Sequence, residues 1–152
     1  MNQKLIFVLL MLVFFLNQSV AGAANRTALV IGNSSYSSIT PLPNPVNDAT
    51  DMTAALKKLG FEVILRTNAN RSSIREAVRV FGDKIKKGGV GLFYYAGHGV
   101  QVEGTNYMIP VDVDIKRKYD IEDQGLKMNY VRGAMQDANN KLNIIILDAC
   151  RD

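Results

Sequence analysis

The chain has 152 residues, a formal net charge of +4, 47% hydrophobic content and 21% charged content. These values exclude a disordered chain and a large multidomain assembly, and they point to one modest domain with a packed core. Lys and Arg are scattered. The compact cluster Lys116-Arg117-Lys118 reads as a solvated loop, so no nucleic-acid partner is expected.

Residues 1–24 read as a signal peptide. Lys4 supplies a positive start, Leu5 to Leu16 is an unbroken apolar run, and Ser19-Val20-Ala21-Gly22-Ala23-Ala24 offers small residues for cleavage after Ala23 or Ala24. The apolar run is short for a bilayer span, although an uncleaved membrane anchor is the competing reading. No cysteine follows the cleavage region, so a lipid anchor is not indicated. The expectation is an exported protein with no stable membrane association after cleavage. Residues 25–152 then form one domain.

Thr27 to Ile31 reads as a first buried strand, followed by a loop rich in Ser, Pro and Asn from Ser34 to Pro45. A helix is predicted over Val46 to Leu59, with Ala49, Met52, Ala55, Leu56 and Leu59 on one face and Gly60 as its stop. Phe61 to Leu65 reads as a second strand. Ser73-Ile74-Arg75-Glu76 has capping-box spacing and is expected to open a second helix, which Gly88-Gly89 ends.

Val90 to Tyr95 is apolar throughout and reads as a central strand. Val100 to Val102 and Tyr107 to Ile109 are expected to pair as a hairpin around Glu103-Gly104-Thr105-Asn106. Val111 to Lys127 reads as irregular. A third helix is predicted from an Asn129 cap to Ala138, and Asn143 to Leu147 reads as the last strand. Continuous apolar strands alternating with helices predict an α/β fold, with a mostly parallel sheet flanked by helices on both faces.

The chain's one histidine and one cysteine each follow a predicted strand. His98 comes after Val90 to Tyr95, and Cys150 comes after Asn143 to Leu147. Ligands of such sheets bind beyond the carboxyl ends of the strands. If the two strands are neighbours, their ends lie about 5 Å apart, within reach of a thiol–imidazole pair. A thiolate is the nucleophile in such chemistry and the imidazole moves the proton. Gly97 and Gly99 allow a tight turn, and the Gly99 and Cys150 amides are candidates for an oxyanion hole.

Asp48, at the start of the first helix, and Asp148, beside Cys150, fall on the same edge and would favour a cationic substrate side chain. Each residue has a plainer role open to it. Cys150 could be an inert strand-end thiol, the glycines could merely shape a turn, Asp48 could serve a helix N-terminus and Asp148 could hold a loop. One histidine and one cysteine give no recognisable zinc spacing, and no phosphate-binding glycine loop is present.

Four segments together resemble the bacterial caspase-like peptidases, which belong with metacaspases and caspases. They are Ala28-Leu29-Val30-Ile31-Gly32-Asn33, Pro43-Asn44-Pro45-Val46-Asn47-Asp48-Ala49, Tyr94-Tyr95-Ala96-Gly97-His98-Gly99 and Leu147-Asp148-Ala149-Cys150-Arg151. The gap of 52 residues from His98 to Cys150 fits the spacing of about 50 in caspases.

The resemblance implies a caspase-like three-layer sandwich, with His98 as proton carrier and Cys150 as nucleophile. It further implies an oxyanion hole at the Gly99 and Cys150 amides, and a substrate pocket containing Asp48 and Asp148. Caspases proper carry glutamine where Asp148 stands, so the implied preference is cleavage after Arg or Lys rather than Asp. The location implied is periplasmic or secreted, in a bacterium.

Arg151-Asp152 departs from the caspase ending. Family members also continue into further strands, so an incomplete C-terminal side and a small-subunit segment or partner chain are expected. Some metacaspases use calcium. Asp112, Asp114, Asp120, Glu122 and Asp123 supply acids, but their spacing identifies no site, so neither a metal nor another cofactor is expected. The rival readings are a non-catalytic interaction module on the same fold and a cysteine hydrolase of non-peptide substrates.

Overall fold

The computed structural model describes residues 25–86 and 88–149. The signal-peptide reading of residues 1–24 and the expected nucleophile and oxyanion-hole roles of Cys150 therefore fall on residues outside the described ones.

A four-stranded parallel sheet forms the centre. Its strands are β1 (Arg26–Gly32), β2 (Glu62–Thr67), β3 (Val90–Ala96) and β7 (Leu142–Asp148), in the order β2-β1-β3-β7. Every residue of β1 after Arg26 is buried, as is every residue of β3 after Val90. Both faces of these two inner strands are covered, which is why they read as unbroken apolar runs rather than as alternating ones.

Helices cover both faces, as predicted. On one side α1 (Pro45–Lys58) packs Ala49 and Leu56 against Ala28, Val30, Leu92 and Tyr94. On the other, α2 (Arg71–Ile85) and α4 (Met128–Asp137) pack Ile74, Phe81, Val131 and Met135 against Leu29, Ile31, Phe93 and Tyr95. The pleat sends successive strand residues to opposite faces, so each inner strand feeds both cores. Phe81 is wholly buried, and truncating such a ring to alanine typically costs about 3–5 kcal/mol.

A second, antiparallel sheet joins β4 (Gly99–Val102), β5 (Thr105–Met108) and β6 (Leu126–Lys127). A short helix, α3 (Lys118–Gln124), precedes β6. Beneath this sheet Tyr36, Val102, Tyr107, Ile109 and Val113 form a satellite cluster.

Several local expectations are corrected. The α2 helix opens at Arg71, and its cap is Asn70, whose side-chain oxygen accepts the Ser73 N–H at 2.8 Å. Ser73 is therefore inside the first turn and does not cap it. The hairpin turn contains two residues rather than four. Glu103 and Gly104 have φ of 48° and 78°, the paired left-handed conformations that match strand twist in a tight hairpin, and Thr105 and Asn106 join β5.

The stretch read as irregular contains α3 and β6. Asp120 draws in its start by accepting the Lys116 and Arg117 N–H groups at 2.9 and 2.7 Å. The α4 helix begins one residue before Asn129, so Asn129 does not cap it.

Candidate active site

The carboxyl edge of the parallel sheet carries the residues singled out from sequence. The β3 and β7 strands are hydrogen-bonded neighbours, with Ala96 paired to Asp148, and the Gly97 N–H donates to the Asp148 carbonyl at 3.3 Å. His98 therefore leaves β3 at the level where β7 ends, one residue before Ala149. This adjacency is what a short-range thiol–imidazole pair requires of the two strands.

His98 is held from three directions. Its backbone N–H donates to the Tyr36 hydroxyl at 2.8 Å, and its carbonyl accepts from the Tyr95 hydroxyl at 2.8 Å. Its ring lies against the Tyr36 ring, with centroids 4.7 Å apart and planes tilted by 58°. Nε2 is 2.7 Å from the Thr40 carbonyl oxygen. A carbonyl only accepts, so Nε2 carries the proton in this contact, and neutral imidazole then keeps Nδ1 as its basic nitrogen.

Tyr36 and Thr40 were not singled out from sequence. Both lie in the loop after β1, and Thr40 contributes only a main-chain oxygen, which leaves no side-chain signature. Gly97 explains why the approach is so close. A Cβ there would sit 2.6 Å from the Tyr36 hydroxyl and 2.7 Å from that of Tyr95.

Asp48 and Asp148 line one open cleft of about 500 Å³ between the N-terminal end of α1 and the end of β7. Its other walls include Pro45, Ala96, Gly97 and Ala149. Asp48 is the fourth residue of α1, so it does not cap that helix. Ser34 serves the first turn instead, its hydroxyl accepting the Val46 N–H at 3.2 Å. Pro45 begins the helix without needing a donor partner. Gly32 lets β1 approach this turn, since a Cβ there would lie 2.3 Å from the Pro45 carbonyl oxygen.

Asp148 accepts a hydrogen bond from the Tyr94 hydroxyl at 3.1 Å. Burial first, then the hydrogen bond to Asp148, then the Asp148 and Asp48 charges, push the Tyr94 phenol up to about 12. Burial likewise raises Tyr36 and takes Tyr95 well above 10.0. Sequence reading absorbed Tyr94 into an apolar strand and so missed its polar end.

Gly99 opens β4 opposite Met108 and lines a separate, apolar cavity of about 300 Å³ with Val100, Tyr107, Met128, Leu147 and Ala149. The two cavities lie to either side of Leu147 and Ala149, the segment leading to Cys150.

Three of the acids considered for calcium have other duties. Asp112 accepts the Arg71 N–H, Asp114 pairs with Lys116 at 2.8 Å and Asp120 serves the start of α3. Among the described residues no group of three or more His, Cys, Asp or Glu is placed to hold a metal ion. Among the same residues no helix is long and apolar enough to cross a membrane.

A mostly parallel sheet between helices, with a fixed imidazole and an acidic cleft at its carboxyl edge, is the caspase-like α/β architecture. Residues 25–152 match the caspase domain of the Peptidase_C14 family. The chain belongs to this caspase-domain peptidase family. It is 35% identical over 129 residues to the human mucosa-associated lymphoid tissue lymphoma translocation protein 1 (Homo sapiens) and to its homolog in Mus musculus. That alignment covers 85% of this chain and 15% of each relative, so the chain spans about a seventh of the length of the curated relatives it matches.

Proposed function

We propose that this protein is an exported cysteine endopeptidase that cleaves after Arg or Lys through His98 and Cys150. The observation that carries the reading is the cleft that gathers Asp48 and Asp148 beside the His98 turn. Two carboxylates in one cleft attract a cationic side chain and repel aspartate. The same pair resembles the acidic pocket positions of metacaspases, a related branch of the clan.

In this reading Nδ1 of His98 takes the thiol proton, and the Cys150 thiolate attacks the carbonyl carbon of the scissile bond. The new C–S bond leaves charge on the carbonyl oxygen, which the Gly99 and Cys150 amides receive. The C–N bond then breaks as His98 returns its proton to the leaving amine. Water, deprotonated by His98, next attacks the acyl carbon, the C–S bond breaks and the thiol is regenerated. The Thr40 carbonyl supports both halves by keeping the Nε2 proton in place and the ring turned. Only these side chains and amides enter the proposed steps.

Peptides ending in Arg, Lys, Asp or Leu before a reporter group test the assignment on the intact protein. Turnover after Arg and Lys, abolished in both Cys150→Ala and His98→Ala with folding retained, is expected. Preferred turnover after Asp overturns the pocket, and activity retained in Cys150→Ala removes the thiol from the mechanism. Export is tested by the N-terminus of the mature protein, expected at Ala24 or Asn25, and by its recovery from periplasm or medium.

A second reading, an interaction module that binds without cleaving, draws on β7. This strand is an edge of the sheet among the described residues, and Leu142, Ile145, Ile146 and Leu147 are exposed on it. An apolar edge strand is a template for another strand, whether from a small-subunit segment or a partner chain. Stable capture of such a segment by a protein whose thiol shows no His98-dependent alkylation favours this reading.

A further inference from the structure

We propose that Tyr94 is a positioning residue for substrate selection, holding the Asp148 carboxylate against one wall of the acidic cleft so that its free oxygen faces an incoming basic side chain. The inference rests on reading that cleft as the Arg/Lys pocket. It adds a residue that touches neither substrate nor the reacting atoms.

Placement follows from the register. Tyr94 pairs with Ile146 and Ala96 with Asp148, so Tyr94 lies two residues ahead of Ala96 on the α1 face of β3. Its ring belongs to the buried cluster containing Ala28, Val30, Ala49 and Leu92, and the residue is only 4% exposed. The hydroxyl emerges from this cluster to donate to Oδ2 of Asp148 at 3.1 Å. The tyrosine is immobilised by packing, whereas Asp148 stands exposed at the end of β7, an edge strand among the described residues. A donor fixed in the core thus restrains an acceptor that would otherwise sample several rotamers.

The choice of a phenol has a physical reason. A Lys or Arg in its place would hold Asp148 equally well but cancel its charge, and with it the attraction for a cationic substrate. A neutral O–H donor restrains the carboxylate and leaves the charge intact. With the phenol pushed up to about 12, Tyr94 remains a neutral donor throughout the range in which peptidases work. One oxygen of Asp148 is thereby engaged and the other remains to meet the substrate.

Tyr94→Phe removes the hydroxyl and keeps the packed ring. Steady-state kinetics on Arg- and Lys-ended peptides should show KM raised by roughly fivefold to tenfold, the scale of one typical net hydrogen bond. The kcat and the alkylation rate of Cys150 should stay within about twofold of the unmodified protein, because the bond lies outside the reacting atoms. In an Asp148→Asn background the same change should add little further loss, since the two side chains act as one unit. Unchanged KM, a fall in kcat alone, or fully additive losses in the double variant each overturn the role of Tyr94. If the unmodified protein itself shows no preference for Arg or Lys, the cleft reading fails and carries this inference with it. If that preference is present and Tyr94→Phe shares it undiminished, only the inference fails.

Discussion

Tyr36 holds His98 twice, through its ring at 4.7 Å and through its hydroxyl, which accepts the His98 main-chain N–H at 2.8 Å. The two contacts are separable. Tyr36→Phe keeps the ring and leaves that N–H without its acceptor, a change worth about 1–3 kcal/mol at a partly buried site. The expected outcome is a fall of roughly tenfold in kcat with little change in KM, because the imidazole loses orientation while the cleft is untouched. Steady-state kinetics with an Arg-ended peptide checks it, and Tyr36→Leu, which loses both contacts, should be worse.

Gly97 admits both tyrosine hydroxyls to the same turn. Gly97→Ala places a methyl 2.6 and 2.7 Å from those oxygens and adds strain at a φ of 152°. Its expected cost is about 2 kcal/mol or more, with His98-dependent alkylation of Cys150 lost. Gly104→Ala is the comparison. That residue has φ of 78° and open space around it, so only a conformational cost of about 1 kcal/mol is expected, with activity retained. Chemical denaturation and thiol labelling on both variants decide the matter.

Asn33 is wholly buried and joins three segments. Its amide donates to the Ala69 and Ile109 carbonyls at 3.3 and 3.2 Å, and its oxygen accepts the Ala69 N–H at 2.8 Å. Asn33→Leu strands all three partners. We expect a loss of about 3 kcal/mol or more, seen as a melting temperature lower by roughly 10 °C. Asn33→Asp should be at least as damaging, because a carboxylate there would face two carbonyl oxygens.

Alkaline pH should weaken the fold through the tyrosines. The Tyr94, Tyr95 and Tyr36 phenols are all raised above 10.0 when folded, so the folded protein holds protons that the unfolded chain releases. Their contribution is fully present below pH 10.0 and, for Tyr94, is lost as pH climbs toward about 12. Denaturant midpoints followed across that window should fall, and fall less steeply in Tyr94→Phe. Parallel curves for the two proteins would contradict the assignment to Tyr94.

The fold was legible where burial writes itself into composition. The apolar runs around Leu29 and Phe93 announced inner strands, and short exits from them put His98 and Asp148 on one edge. Asp48 was legible for the same reason, since a helix that follows a strand and loop begins on that edge. What escaped was polar work done by residues that look apolar or unremarkable. Tyr94 and Tyr95 read together as strand core, yet the pleat aims one hydroxyl at Asp148 and the other at the His98 carbonyl. Thr40 acts through its backbone, and Tyr36 sits in a loop whose composition speaks only of turns. Local starts were also misread. Ser73 has capping spacing, but Asn70 wins because a planar side-chain acceptor there already reaches the Ser73 N–H.

The strand order has a consequence for biosynthesis. Among the described strands β7 is made last, and it docks against β3, whose partner on the other side, β1, is made first. Until Leu142 and its successors emerge, β3 presents an open flank and Asp148 is missing from the cleft. A nascent chain can therefore make every described helix before both acids of the cleft are present. Protein made without β7 should expose a sticky flank to chaperones and discriminate among no peptides.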